Sequence, residues 1–93
     1  MSNGKPIRIP PHTAKNFHER DIASKEVEQT VGQPEKVVAG YDGRQIYMRR
    51  YIDSILNQEM LLRVVVEETE QARVVVTVYK TSKIQKYLKE ETK

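Results

Sequence analysis

The chain has 93 residues, of which 38% are hydrophobic and 31% charged, so it allows one small domain with a modest core and excludes a fully disordered protein. Its 16 Lys and Arg against 13 Asp and Glu give a net charge of +3, which permits a nucleic-acid or acidic partner without requiring one. The absence of cysteine excludes disulfide scaffolds and thiolate metal sites. Because no apolar run approaches the roughly 20 residues of a membrane helix, and no signal-peptide stretch opens the chain, we expect a cytoplasmic protein without a membrane partner.

A short strand and a short helix are predicted at the start of a single domain over 1–93. Residues 1–4 are expected to be disordered, and residues 5–9 alternate with β-branched side chains, which is typical of a strand. Pro11 suits the first turn of a helix over 11–20, because its missing N–H costs nothing there. Ala14 and Phe17 are three apart and should face inward.

A second helix has clear start and stop signals. Ser24 is a good N-cap, and Gly32 ends the helix shortly before a proline. Val27 and Val31 are four residues apart and form its buried side, while Ile22 should pack in the corner between the two helices.

Four further strands and a basic terminal helix follow. The strands are predicted at 35–39, 44–52, 60–66 and 73–79, and the helix is predicted at 83–90. Short connections make this part of the sheet antiparallel. The fold class is therefore α+β: a short N-terminal strand, two helices on one face of an antiparallel sheet of about four strands, and a short C-terminal helix. The other face of the sheet is expected to be open and polar.

Basic and aromatic residues on the strands are the most informative chemical feature. The basic set is Arg49, Arg50, Arg63, Lys80 and Lys83. Guanidinium groups that converge on one sheet face bind phosphate well, and interleaved tyrosines such as Tyr47 can stack on bases. The alternative is that these charges are solvated and protect sheet edges. His12 and His18 are six apart, so they lie on different sides of a helix and no shared metal is expected.

Several short segments resemble one family, the domain of unknown function 4258. They are His12, Arg20-Asp21-Ile22, residues 24–28, Gln33-Pro34-Glu35, residues 41–44, residues 62–66 and residues 76–79. The resemblance covers about 8–82. It departs at Asn16, where an arginine is common, and at Asp21, where glycine is common.

That family is distantly similar to the RelE- and ParE-like toxins of bacterial toxin–antitoxin pairs. The similarity implies a small, metal-independent protein that is paired with an antitoxin. RelE-like members cleave RNA, often on the ribosome, whereas ParE-like members act on DNA gyrase. Their strand–helix–helix–sheet order agrees with the order predicted above.

A ribonuclease of this kind must stabilise charge on phosphorus and move two protons, without a cofactor. Arg50 and Arg63 are the candidates for phosphate stabilisation. His12 is the acid–base candidate, because its ordinary pKa of about 6.5 suits both roles, although a histidine at a helix start can simply bond a loop carbonyl. Tyr87 resembles in position a C-terminal tyrosine near the RNA in RelE-like enzymes, or it anchors the last helix.

The remaining candidates belong to an RNA-binding surface. Arg20 is either a site cation or a structural partner of the sheet, and Lys83 is a backbone-phosphate contact or a solvated charge. The predicted nucleic-acid-binding set is Arg20, Tyr47, Arg49, Lys80 and Lys83.

Two function classes therefore stay open. The first is an RNA-cleaving toxin that binds an antitoxin, and the second is a non-catalytic module of the same fold that binds gyrase, RNA or another protein. Strand 35–39 and helix 83–90 are the expected docking places for the antitoxin or for a second copy in a homodimer.

Overall fold

A computed structural model describes residues 5–89, which form one five-stranded sheet, three α-helices and a 3₁₀ turn. The elements are β1 (Ile7–Arg8), α1 (Pro11–Glu19), α2 (Ser24–Gly32), β2 (Lys36–Ala39), the 3₁₀ turn Tyr41–Gly43, β3 (Gln45–Asp53), β4 (Gln58–Glu68), β5 (Arg73–Thr81) and α3 (Ile84–Leu88). The predicted α+β class is confirmed. The disorder predicted for residues 1–4 and the end of the last helix at Glu90 lie outside the described residues.

The strand order across the sheet is β1-β5-β4-β3-β2. The four strands β2 to β5 are antiparallel to their neighbours, as predicted, whereas β1 pairs in parallel with β5, with Ile7 opposite Arg73. The sheet is therefore mixed. A parallel pair needs a long crossover connection, and here α1, α2 and the strands β2 to β4 lie between β1 and β5 in the chain.

The two N-terminal helices begin and end close to their predicted positions. Pro11 is the first residue of α1, and Phe17 is 1% exposed. The prediction for the start of α2 is off by one residue, because Ala23 occupies the N-cap. Ser24 instead lies within the helix, and its Oγ is 3.0 Å from His18 Nε2. The bond links the last turn of α1 to the first turn of α2.

The face of the sheet that α1 and α2 cover, here the α1/α2 face, holds the main core. Val27 and Val31 are fully buried, as predicted, and Ile22 fills the corner between the helices. They pack with Phe17 and with sheet residues that share one side of the pleat, namely Tyr47, Leu62, Val64, Val66, Val75 and Val78. Burial of this continuous apolar surface is the principal stabilising term.

The opposite face, here the α3 face, is partly covered rather than open. Met48 and Leu61 are fully buried on it, beneath the apolar side of α3 formed by Ile84, Tyr87 and Leu88. The Lys36 ammonium donates to the Leu88 carbonyl at 2.7 Å. The cover exists because apolar residues of α3 share one side of that short helix, which gives it something to bury.

Candidate functional site

Arg63 lies in the middle of β4 and points to the α3 face. It stands opposite Met48 in β3 and opposite Tyr79 in β5. Directly opposite residues share a face of the sheet, so Arg63 and Tyr79 lie side by side. The arginine that interrupts the apolar pattern of β4 is thus directed away from the main core.

The Arg63 guanidinium is packed against two tyrosine rings. Its central carbon lies 4.0 Å from the ring centroid of Tyr87 in α3 and 5.3 Å from that of Tyr79. Arg63 is only 7% exposed, which strengthens a cation–π contact because little water competes. Lys86 adds a second cation, with its Nζ 5.4 Å from the Tyr87 centroid. We call Arg63, Tyr79, Tyr87 and Lys86 the arginine–tyrosine cluster.

Arg50 lies on the same face of the sheet, next along the pleat from Met48. It stands opposite Leu61, and its Nε donates to Glu35 Oε1 at 3.0 Å. Both side chains of this pair are partly exposed, so the Arg50 charge is held near the surface. The structure therefore places the two arginines predicted for phosphate stabilisation on one face.

His12 is not on that face. It is an exposed residue of the first turn of α1, which packs on the α1/α2 face. The sheet separates it from the arginine–tyrosine cluster. A single site built from His12, Arg50 and Arg63, which the acid–base hypothesis needs, is therefore not formed.

Three of the predicted RNA-binding residues have structural partners on or beside the α1/α2 face. Arg20 donates to the Val78 carbonyl at 2.8 Å, and Arg49 donates to the Gln33 carbonyl at 2.7 Å. Tyr47 is 6% exposed, and the Arg73 guanidinium carbon lies 5.7 Å from its ring centroid. Burial raises the pKa of the Tyr47 hydroxyl, and Arg73 partly offsets that shift. The Tyr47 ring is thus part of the core and not an exposed stacking platform.

Lys80 is engaged in a buried ion pair that no sequence signal indicated. Its Nζ lies 2.6 Å from Oδ2 of Asp53, the last residue of β3. The same oxygen accepts from the Tyr51 hydroxyl at 3.1 Å, while Oδ1 accepts from the backbone N–H groups of Ile55 and Leu56. The Lys80 hydrogen bond, followed by the Leu56 N–H, holds the Asp53 pKa down to about 2. Burial, together with the Asp53 contact, raises the Tyr51 pKa.

Lys83 directly precedes α3. Its side chain is exposed, and its backbone N–H donates to Thr81 Oγ1 at 3.1 Å. Lys83 and Lys89 therefore flank α3, and Lys86 lies within it, next to the half-buried Tyr87.

The α3 face brings positive charge beside aromatic rings, and the described part of the chain offers no metal centre. Cations and tyrosine rings gather on the α3 face, which suits phosphate and base contacts. Across residues 5–89, no group of three or more His, Cys, Asp and Glu side chains is placed to hold a metal ion. In the same range, no helix has the length and apolar character needed to cross a membrane.

Comparison with known families decides the classification. Residues 9–80 match the family described as "Domain of unknown function (DUF4258)". The chain belongs to this family. The match confirms the predicted DUF4258 resemblance, and it includes Arg50, Arg63 and Tyr79 but ends before Tyr87. No curated protein and no solved structure matches the chain. Similarity to RelE- and ParE-like toxins stays a prediction.

Proposed function

We propose that this DUF4258 protein is a RelE-like toxin component that cleaves RNA without a metal ion. The observation that carries the proposal is the arginine–tyrosine cluster, with Arg50 on the same face of the sheet. The two aromatic rings hold the Arg63 guanidinium in one orientation, and its planar set of N–H donors matches a phosphate once the Tyr87 ring has moved aside. On this proposal the protein acts in the cytoplasm, and an antitoxin controls it.

The reaction needs an attack by an RNA 2′-hydroxyl on the neighbouring phosphate. The phosphorus–O5′ bond breaks, and the products are a 2′,3′-cyclic phosphate and a 5′-hydroxyl. Arg63 and Arg50 supply the positive charge that stabilises the crowded phosphorus. Since Arg63 lies under the Tyr87 ring, RNA binding requires that ring to move.

The proton steps fall to other residues on the α3 face. The Tyr87 hydroxyl is the proposed donor to the leaving 5′ oxygen, because it belongs to the cluster around Arg63. Glu35 is the proposed acceptor of the 2′-hydroxyl proton, because its carboxylate is bonded to Arg50. His12 has no role in this scheme, since the sheet lies between it and Arg63.

A second candidate is a non-catalytic RNA-binding module that uses the same face. The position of His12 favours this second candidate, because the sheet separates the acid–base candidate of the sequence from the arginines. Tyrosine rings and arginines bind single-stranded RNA without any proton transfer.

One set of assays separates the two candidates. End-labelled RNA is incubated with the protein and a chelator, with and without translating ribosomes, and both cleavage ends and binding are measured. We expect cyclic-phosphate ends from the wild type, loss of cleavage with retained binding for Tyr87→Phe, and weaker binding for Arg63→Lys. His12→Ala is the matched control and should keep full activity.

Each outcome has a distinct meaning. Binding without cleavage by the wild type assigns the non-catalytic module. Loss of cleavage in His12→Ala contradicts the site proposed here. RNA that is neither bound nor cut, with or without ribosomes, overturns both candidates.

A further inference from the structure

The end of β3 and the turn that follows it present three large aliphatic side chains to solvent. Ile52 is 66% exposed, Ile55 is 64% exposed and Leu56 is 49% exposed. Single exposed aliphatic residues are ordinary, but neighbouring ones on a short turn form an apolar patch. We call Ile52, Ile55 and Leu56 the apolar turn.

The conformation of this turn is fixed by the chain itself. The Asp53 carboxylate accepts from the N–H groups of Ile55 and Leu56, both at 3.0 Å, and is itself held by Lys80. The Asn57 N–H donates to the Asp53 carbonyl at 2.7 Å, and Asn57 has a left-handed φ of 55°. Because a buried ion pair orders the turn, the turn itself loses little conformational entropy when a partner binds there.

An acidic cleft adjoins the apolar turn. Its volume is about 80 Å³, and Asp21 and Glu26 line it together with Ile52 and Ile55. No Lys or Arg belongs to its lining among the described residues. Small-molecule sites usually occupy about 300 Å³ or more, so this cleft fits one side chain of a larger partner.

The charge around the cleft opposes that of the whole chain. The cleft lining has three carboxylates, Asp21, Glu26 and Asp53, of which Asp53 is paired with Lys80, whereas the chain carries +3 in total. Such a surface attracts basic side chains and repels phosphate groups.

We propose that the apolar turn and its acidic cleft dock a protein segment in which aliphatic side chains alternate with Lys or Arg. The aliphatic groups would cover Ile55 and Leu56, and one basic side chain would enter the cleft beside Asp21 and Glu26. Buried aliphatic anchors with a complementary charged rim are how a small interface gains affinity. The proposal does not depend on the RNA chemistry of the α3 face.

The test uses the full chain as bait for a display library of random peptides. Three variants are compared with the wild type. They are the double change Ile55→Ser with Leu56→Ser, the double change Asp21→Asn with Glu26→Gln, and Tyr41→Ser as the matched control. Tyr41 is 91% exposed and lies far from the turn in the sequence, so its loss removes an apolar surface elsewhere. Asn at position 21 suits the left-handed φ of 62° found there. Melting curves establish that every variant is folded.

We expect enriched peptides that combine Leu or Ile with Lys or Arg. Their affinity should fall at least tenfold for the Ile55 and Leu56 variant and about threefold for the charge variant, and it should be unchanged for Tyr41→Ser. Enrichment of acidic peptides, equal binding to all variants, or failure to enrich any peptide that depends on the turn overturns the proposal. A concentration-dependent dimer of the wild type that the Ile55 and Leu56 variant loses would assign the turn to a second copy instead.

Discussion

The two faces of the sheet differ in what their buried side chains are. On the α1/α2 face, Phe17, Val27 and Val31 meet aliphatic strand residues in a continuous core. On the α3 face, the buried aliphatic cluster is small and borders a nearly buried arginine, Arg63, under the ring of Tyr87. Burial of apolar surface stabilises a fold, whereas burial of a charge costs free energy unless other contacts offset it. One face therefore holds the domain together through apolar burial, while the other holds a nearly buried cation against aromatic rings.

The largest effect is expected from the α1/α2 face. Phe17→Ala removes a fully buried ring and leaves a cavity, which should lower the free energy of unfolding by about 4 kcal/mol. Urea denaturation measures it. Lys15→Ala, an exposed change in the same helix, is the control and should have little effect. A similar loss for both variants would mean that the helix and not the ring is limiting.

The second-largest loss of stability is expected when the ion pair at the end of β3 is broken. Asp53→Asn leaves the Lys80 ammonium without its carboxylate partner and weakens the order of the apolar turn, at a cost of roughly 3 kcal/mol. Asp42→Asn replaces an exposed aspartate in another turn and serves as the control. If both aspartate variants melt at the wild-type temperature, the Lys80 contact contributes nothing to stability.

Acidification should remove part of the stability that the Asp53–Lys80 ion pair contributes. The Asp53 pKa is lowered from 3.8 to about 2 by Lys80 and the turn N–H groups, so the unfolded state binds this proton more readily than the folded state. The stabilisation is present above about pH 4 and is lost as the pH falls from about 4 to about 2. The free energy of unfolding, measured across this pH range, should change less steeply with pH for Asp53→Asn than for the wild type. Equal slopes would assign the acid sensitivity to other carboxyl groups.

A smaller effect is expected from the α3 face. Tyr87→Leu keeps an apolar side chain over Met48 but removes the cation–π contact with Arg63, which should cost about 1 kcal/mol, or a fall in Tm of about 5 °C. Tyr41→Leu, at a 91% exposed position, should leave Tm unchanged. A fall as large as that of Phe17→Ala would make α3 part of the main core and would erase the contrast between the faces.

The smallest effect is expected at the surface pair of the same face. Glu35→Gln removes the partner of Arg50, and exposed pairs contribute at most about 1 kcal/mol. Thermal denaturation at low and high salt measures it, and the wild-type advantage should shrink in salt. Glu28→Gln is the exposed control in α2. A salt-independent loss would indicate that Glu35 acts through packing rather than charge.

Much of the fold could be predicted because local patterns determine it. Alternation along β3 separates Met48 and Arg50 from Tyr47 and Arg49 correctly, and Val27 and Val31 mark the buried side of α2. Alternation does not tell which of two faces a helix will cover, so Tyr47 was expected on a binding surface although it lies in the core. The parallel pairing of β1 also escaped prediction, because its partner β5 is far away in the sequence, with Ile7 opposite Arg73.

The candidate site could be predicted only in part for a related reason. Arg63 is recognisable in the sequence because it interrupts an apolar strand. Arg50 is two residues from Met48, which stands opposite Arg63, so the two arginines share a face of the sheet. His12 has suitable chemistry but lies in a helix, and a single sequence does not place a helix relative to a sheet face. Asp53 was missed because one aspartate at a strand end looks like any turn residue, and its ion pair with Lys80 joins strands that are not neighbours in the sheet.

The parallel pairing of β1 with β5 has a consequence for the order of folding. The hairpins of β2 with β3, β3 with β4 and β4 with β5 close short loops and can form early, whereas β1 must wait for a strand that follows it by 66 residues, the separation of the paired Ile7 and Arg73. During translation, the first strand therefore leaves the ribosome long before its partner exists. Until β5 arrives, the α1/α2 core lacks Val75 and Val78, so the nascent chain exposes apolar surface and is most vulnerable to aggregation and proteolysis at that stage.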